Sequence, residues 1–328
     1  MRAVSEVAMA QRPTELVLTA RVARMYYLDD RSKTEIADEL AISRFRVARL
    51  LDSARRSGLV RIEIETSGEV DTDLSAQLQA AFGLAHAVVL DIPEDDHVVL
   101  RQHLGEAAAQ VLREIVTRED VLGLAWARSL SGIGTALDTF VPCAVVQLTG
   151  ALSRPDGSDV LELVRRVARA GGGPAHVYYA PLVAADATTA RTLRRQPDVA
   201  RAAALLPSVT VGVVGIGAWA PGLSTIFDAV EPDTQQRTAR LGVVAEISGV
   251  LIDAQGRPLN VPLGKRVIGI TGDELAGMRA VLAVAYGDEK AEAVRAALHG
   301  GLVSGLITHA SLARRLLYAT PSDGPNGQ

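Results

Sequence analysis

Apolar positions in the first sixty residues recur at helical spacing. Leu16, Ala20, Ala23 and Tyr27 share one stripe, which predicts a helix over residues 14–28. Asp29-Asp30-Arg31 breaks it. Ser32 followed by Glu35 forms a capping box that opens a short helix running to about residue 40. Ala41-Ile42 supply a tight turn, and Ser43 caps a third helix. In that helix Val47, Leu50, Leu51 and Ala54 follow the i, i+3, i+4, i+7 rule and form the inward face. Gly58 suits the position just past the helix end. Residues 59–64 then alternate apolar and polar, as a half-exposed strand does.

The pattern changes after a polar stretch at residues 65–73. We place a linker at 67–73, between an N-terminal domain at 1–66 and a larger domain at 74–320. Strand-like runs follow at 87–90, 121–124, 144–148, 176–179, 210–216, 267–270, 281–285 and 303–307. Helix-like stretches lie between most of them, for example 98–116, 159–170 and 289–298. Strands alternating with helices predict an α/β fold, with a parallel sheet covered on both faces. Leu74, Leu78 and Ala81 form an apolar stripe that would help two chains associate. The tail at 321–328 reads as disordered.

Composition supports this division. At roughly 100–200 residues per domain, 328 residues suit two domains. Hydrophobic residues make up 48% and aromatics only 4%, so the core is built from small aliphatic side chains, as in buried parallel sheets. The longest nearly uncharged run, 209–220, falls short of the roughly 20 residues a membrane-spanning helix needs. No apolar signal core opens the chain, and a cytoplasmic protein is expected. Cys143 is the single cysteine, which excludes an intrachain disulfide. It adjoins a strand-like run and reads as a buried, inert thiol.

Charge is uneven. Residues 1–66 hold twelve Lys and Arg against ten Asp and Glu, within a chain of net charge −4. Between Leu40 and Arg61 stand six arginines and one acid, Asp52. A basic segment in an acidic chain points to nucleic acid at one end. Phe45, Arg49 and Arg56 face away from the apolar stripe of the third helix. Ser43, Arg44 and Arg46 lie at its N-terminal end, the end a recognition helix presents to the major groove. Arginine reads guanine bidentately, and phenylalanine touches a thymine methyl. Lys33 and Thr34 are placed to hold phosphates, and Arg61 would do so from a wing. Together these features predict a winged helix-turn-helix that binds double-stranded operator DNA.

The chain also resembles the SorC family of bacterial sugar-binding transcriptional regulators over nearly its whole length. In the N-terminal part the resemblance rests on Tyr26-Tyr27, Lys33-Thr34-Glu35-Ile36-Ala37, Leu50-Leu51 and Gly58-Leu59-Val60-Arg61-Ile62. Further on it rests on the segment from Gly123 to Leu130, Val213-Val214-Gly215-Ile216-Gly217, Asp253-Ala254-Gln255-Gly256, Gly287-Asp288-Glu289-Lys290-Ala291 and Leu306-Ile307-Thr308. The resemblance implies a Rossmann-like effector domain similar to sugar-phosphate isomerases, a sugar-type and generally phosphorylated effector, and assembly that is usually tetrameric; a helix-turn-helix that needs two half-sites leads us to expect a dimer or tetramer. It implies that the loop containing Gly123, Trp126, Ala127, Arg128 and Ser129 cradles a phosphate, where a strand passes into a helix beginning near Arg128 or Ser129. The family usually has Gly where Ala127 stands, and Ala would narrow the loop or forbid a positive φ. Lys290 stands where the family has a ligand-binding lysine, just inside a helix capped by Asp288. Glu246 and Asp253 are implied near the pocket and Arg154 at its edge. His309 stands where the family often has Asp.

Rival chemistries find less support. Gly215-Ile216-Gly217-Ala218-Trp219-Ala220 matches a dinucleotide-binding pattern, but Pro221-Gly222 interrupts the helix that must follow. The six histidines show no metal-ligand spacing, and no P-loop is present. No cofactor is expected. An isomerase or deaminase carrying an extra domain is the alternative reading. The absence of an evident acid–base pair near the implied pocket favours sensing over catalysis.

Overall fold

The computed structural model describes residues 13–60, 70–92, 96–151 and 160–318. The chain divides into two compact units, Met1–Glu65 and Thr66–Gln328.

In the first unit three helices surround a small core. They are α1 (Pro13–Tyr27), α2 (Lys33–Glu39) and α3 (Arg44–Arg56). The Ser32–Glu35 capping box opens α2, with Ser32 N–H donating to Glu35 Oε2 at 2.8 Å. Ser43 caps α3 by accepting from Arg46 N–H at 3.2 Å. Val22, Met25, Ile36, Val47, Leu50, Leu51 and Ala54 fill the interior. Arg21 and Arg31 both pair with Glu39 across the outside. The turn between α2 and α3 puts Ala41 at φ 52°, a left-handed conformation unusual for a residue with a side chain. Gly58, at φ 74°, follows the end of α3. Of the expected wing strand, Leu59 and Val60 form a bend, and Arg61 lies outside the described residues.

The second unit opens with α4 (Thr72–Phe82), β1 (His86–Leu90), α5 (His97–Ile115), β2 (Val121–Leu124), α6 (Ile133–Ala136), β3 (Ala144–Gln147), α7 (Val160–Gly171) and β4 (Ala175–His176). Two helices, α8 (Ala187–Arg194) and α9 (Pro197–Ala203), precede the long β5 (Val211–Ala218). After it come α10 (Thr225–Asp228), α11 (Pro232–Arg240) and a hairpin of β6 (Ala245–Ile247) and β7 (Val250–Ile252). The chain continues through α12 (Gly272–Ala276), β8 (Ala280–Val284), α13 (Ala291–His299), β9 (Gly305–His309) and α14 (Ala310–Tyr318).

The main sheet runs β1-β9-β8-β5-β2-β3-β4, with every pairing along it parallel. Omitting β1, this is the doubly wound order. β2, β3 and β4 step outward on one side, then β5 returns to the other side of β2, followed by β8 and β9. The direction therefore reverses between β2 and β5. Side chains alternate between two cores. Val214 and Ile216 of β5 face the layer of α4, α13 and α14, while Val211 and Val213 face that of α5 and α7. No described helix is long and apolar enough to cross a membrane.

Several expectations need correction. Leu74 and Leu78 lie in this unit's own core with Leu312 and Leu316, so that stripe is not available for association. Helix α4 starts at Thr72, inside the expected linker, because Asp71 caps it by accepting from Leu74 N–H at 2.9 Å. The run at 267–270 makes only isolated bridges, Gly269 with Thr149 and Val267 with Val183, since both partners are loop segments. β4 stops at His176 because the Gln147 side chain replaces the ladder, accepting from Tyr178 N–H at 3.0 Å. The β6–β7 hairpin was not foreseen.

At the amino edge of the sheet Asp120 joins three strands. Its carboxylate accepts from Thr210 Oγ1 at 2.7 Å, Thr117 N–H at 2.8 Å and Arg279 Nη2 at 3.0 Å. Burial alone would raise its pKa, but these bonds together hold it down to about 2. A carboxyl group whose pKa is lower folded than unfolded stabilises the fold above its unfolded value. That contribution is lost as pH falls from about 4 to about 2. Asp120→Asn is expected to remove about 2 kcal/mol of stability at neutral pH and to flatten the acid limb over that window. Urea unfolding at several pH values measures both. An unchanged acid limb would show that Asp120 does not anchor the edge.

Candidate functional site

In the first unit most of the expected DNA-contacting residues are exposed. Ser43, Arg44, Phe45, Arg46 and Arg49 are all exposed, while Val47 and Leu50 on the opposite face are buried. Phe45 is 86% exposed, apolar surface that would gain from being covered and removed from water. Thr34 is exposed at the start of α2. Lys33 beside it is half-buried, with its ammonium 5.7 Å from the centre of the Tyr26 ring.

In the second unit a cleft opens at the carboxyl ends of β2, β5 and β8, where the strand order reverses. Open α/β sheets bind ligands at such a point. The cleft spans about 410 Å³ including its mouth. Trp126, Ala127, Arg128 and Ser129 enter from β2, Gly215 to Gly217 from β5, Glu246 and Ser248 from the hairpin, and Tyr286 and Lys290 from beyond β8.

The loop after β2 is shaped differently from the expectation. Arg128–Leu130 is a single 3-10 turn and α6 is one turn long. No extended helix therefore starts directly at residues 128–130, where one was expected. Ala127 has φ −158°, extended backbone that any residue adopts, so a positive φ is not at issue. Its methyl group instead faces β5, and a Cβ added to Gly215 would lie 2.5 Å from it. Trp126 N–H donates to Thr149 Oγ1 at 3.0 Å. Arg128 lines the cleft and donates from Nη2 to the Gly222 carbonyl at 2.7 Å, across the mouth. Ser129 is buried.

Glu246 is buried among polar partners. Its Oε1 accepts from Ser224 Oγ at 3.2 Å and its Oε2 from Gly249 N–H at 2.9 Å. Burial pushes its pKa up despite these bonds and the nearby Lys290. The carboxylate is so close to β5 that a Cβ on Gly217 would meet Oε1 at 2.4 Å, so glycine is required there. Ser248 holds the tight hairpin turn at φ 47°, followed by Gly249 at φ 100°. Its hydroxyl accepts from Gly215 N–H at 3.1 Å.

Lys290 is the residue before α13 and ends a 3-10 turn, Asp288–Lys290, so it is not inside a helix capped by Asp288. Asp288 Oδ2 instead accepts from Ser311 Oγ at 2.6 Å. The ammonium of Lys290 lies 5.3 Å from the centre of the Tyr286 ring. Burial first, then Arg128, lower its pKa, while Glu246 and Glu289 oppose them. Two basic groups, Arg128 and Lys290, thus share the cleft with one acid, and burial disfavours the charged forms of both Lys290 and Glu246.

Other expected residues lie elsewhere. Gly123 sits within β2 and packs against Leu148 and Val209, where a Cβ would have no room. Asp253 closes the turn after β7, accepting from Gln255 N–H and Arg257 N–H at 2.9 Å each. Arg154 lies outside the described residues. Sequence reasoning missed Ser248, Tyr286, Leu223 and Thr225 as cleft residues. The Ser248-Gly249 pair between two short apolar runs is the hairpin signal that would have found the first. Gly215-Ile216-Gly217 falls within β5 rather than at a strand-to-helix turn, a second reason against dinucleotide binding.

Comparison with known proteins identifies the family and the fold. Residues 68–318 match the family model Sugar-bind, which describes a sugar-binding domain. The transcriptional regulator LsrR of Klebsiella pneumoniae is 32% identical over 304 residues, 92% of each chain. LsrR of Escherichia coli K12 is 29% identical over 319 residues, 96% of this chain and 98% of that one. The full-length sorbitol operon regulator SorC of Klebsiella pneumoniae has the same fold, with a TM-score of 0.68 at 22% identity, covering 92% of this chain and 98% of that one. A sugar-binding regulator domain from Arthrobacter aurescens gives a TM-score of 0.66 over 78% of this chain. The family match and the end-to-end relationship to LsrR place the N-terminal helices and the switch-point cleft in a single lineage, and the chain belongs to the SorC family of sugar-binding transcriptional regulators.

Proposed function

We propose that this regulator binds operator DNA through α3 and changes its operator affinity when a phosphorylated sugar or polyol occupies the switch-point cleft. The observation that carries the effector half is the meeting of Arg128 and Lys290 with buried Glu246 and the hydroxyls of Ser129 and Ser248. The cations and the N–H groups of the 128–130 turn suit a phosphate. Glu246 and Ser248 suit sugar hydroxyls, which both donate and accept. LsrR, which is related over nearly the whole chain, is a transcriptional regulator, and among the described cleft residues there is no pair of carboxylates and no histidine, so sensing fits better than turnover. The protein acts in the cytoplasm, where operator DNA and phosphorylated sugars meet.

On the DNA side, Arg46 and Arg49 read base edges or adjacent phosphates, Phe45 touches a base face or methyl group, and Ser43, Arg44, Thr34 and Lys33 hold the backbone. One helix-turn-helix reads only a few base pairs, so two are brought to a pseudo-palindromic site by dimerisation. The protein is a dimer or tetramer, which light scattering at micromolar concentration tests directly. Arg49→Ala is expected to cost about 1–3 kcal/mol of operator affinity, and wild-type binding should weaken steeply as salt rises. Operator titration at two salt concentrations measures both, and wild-type affinity in the variant would refute the assigned face.

Ligand and operator alter each other's affinity by the same factor when they are linked. A thermal-shift panel of sugar phosphates and polyol phosphates identifies the effector, and operator titration with and without it measures the coupling. Lys290→Ala is expected to raise the effector concentration needed for the response by about tenfold or more, the cost of one charge-assisted contact. A response at the wild-type concentration would exclude Lys290 from the effector site. Turnover of any sugar phosphate in the panel would favour the enzyme reading instead.

A further inference from the structure

The cleft lysine is carried by a short turn, and that turn is held from outside the cleft. Gly287 starts it at φ 95°, a conformation open to glycine and rarely to other residues. Its N–H donates to Nε2 of His309 at 3.2 Å. Lys290 N–H closes the turn on the Gly287 carbonyl at 3.0 Å. Two residues beyond His309, Ser311 Oγ donates to Asp288 Oδ2 at 2.6 Å. The end of β9 and the first turn of α14 therefore clamp the lysine turn at two points. His309 is fully buried and pairs in register with Leu90 of β1, so its ring has little room to swing aside.

We propose that His309 is a positioning residue: its Nε2 holds the Gly287–Lys290 turn, and with it the cleft lysine, only while the ring is neutral. The inference rests on the reading of the cleft as the effector site. A nitrogen that accepts an N–H carries no proton, so the neutral ring is protonated on Nδ1. Adding a proton at Nε2 sets two N–H groups against each other and abolishes the bond. The clamp exists above the pKa of the folded histidine and is lost as pH falls through it.

Among the described residues, the groups that face the ring are Asp288 and Glu289 of the turn and His97 at the start of α5. Burial, the largest influence, lowers the pKa of His309. Asp288 and Glu289 pull it up and His97 pushes it down, with a net lowering below the ordinary histidine range. The switch therefore operates on the acidic side of that range. Glu246 acts in the opposite sense, because its protonation at low pH removes a negative charge from the cleft and favours an anion. A loss of anion affinity on acidification thus cannot come from Glu246.

The test uses the full chain and needs no identified effector. Sulfate serves as the anion, since its charge is constant over pH 4–8, and its binding is followed by tryptophan fluorescence, Trp126 lining the cleft. Hydrogen exchange of the Gly287 amide reports the clamp itself. In wild type, sulfate affinity should fall about tenfold or more from pH 8 to pH 4, and Gly287 protection, corrected for intrinsic exchange, should fall with it. His309→Gln keeps an acceptor near the Nε2 position that does not titrate, so binding and protection should persist across the range. His309→Leu should be weak and unprotected throughout. A wild-type pH profile that survives in His309→Gln, or Gly287 protection equal in wild type and His309→Leu, would overturn the proposal. The His309→Gln comparison stands even if His309→Leu fails to fold. Sulfate that fails to bind wild type at pH 8, while Gly287 protection still tracks His309, would refute the anion site and support the clamp.

Discussion

The effector unit depends on what β5 leaves out. This strand is buried on both faces and pairs with β2 and β8 in the main sheet and with β6 beyond it. At Gly215 and Gly217 it has no side chains on the side facing the cleft. Ala127 occupies the space beside the first and the Glu246 carboxylate the space beside the second. The loop after β2 and the hairpin therefore approach the central strand closely enough to bring their polar atoms together. A methyl group at either glycine would push out one wall of the cleft.

The charges of the cleft are tolerable because each is supported locally. Arg128 rests on a backbone carbonyl, Glu246 on a hydroxyl and an N–H, and Lys290 on the face of Tyr286. Among the described residues none makes a close ion pair of the kind that Asp120 and Arg279 make at the opposite edge of the sheet. The edge with the paired charge holds strands together. At the other edge Arg128 and Lys290 are half-buried and rest on a carbonyl and an aromatic face instead.

Much of this was legible in the chain, and what was not has physical causes. The helical periods of Val47, Leu50, Leu51 and Ala54, and the caps at Ser32 and Ser43, were readable because they are local. β2 was readable to the residue because a strand buried on both faces is an uninterrupted apolar run. The hairpin was hidden by strands three residues long, too short to show alternation. The run at 267–270 looked like a strand because burial, not pairing, sets its apolar character. Lys290 and Glu246 were named from family resemblance, Ser248 is marked only by the turn pair it forms with Gly249, and Tyr286 reaches the cleft through long-range folding that no local pattern encodes. Asp253 and Gly123 carry family signatures for backbone reasons, a turn and a tight packing site.

The pairing of β6 with β5 has a consequence for how such a cleft changes over evolutionary time. Gly217 stands opposite Glu246, with Ala245 and Ile247 as its neighbours in the register. Side chains on a strand alternate, so a slip of one residue exchanges its two faces. A single-codon insertion before β6, followed by re-pairing, would withdraw the carboxylate and present alanine or isoleucine instead. A polar wall of the cleft would become an apolar one without any substitution at the position itself. The two-residue turn at Ser248-Gly249, held in a left-handed conformation and tied to Gly215 by two hydrogen bonds, resists that slip. Its strained serine keeps the hairpin in register against β5.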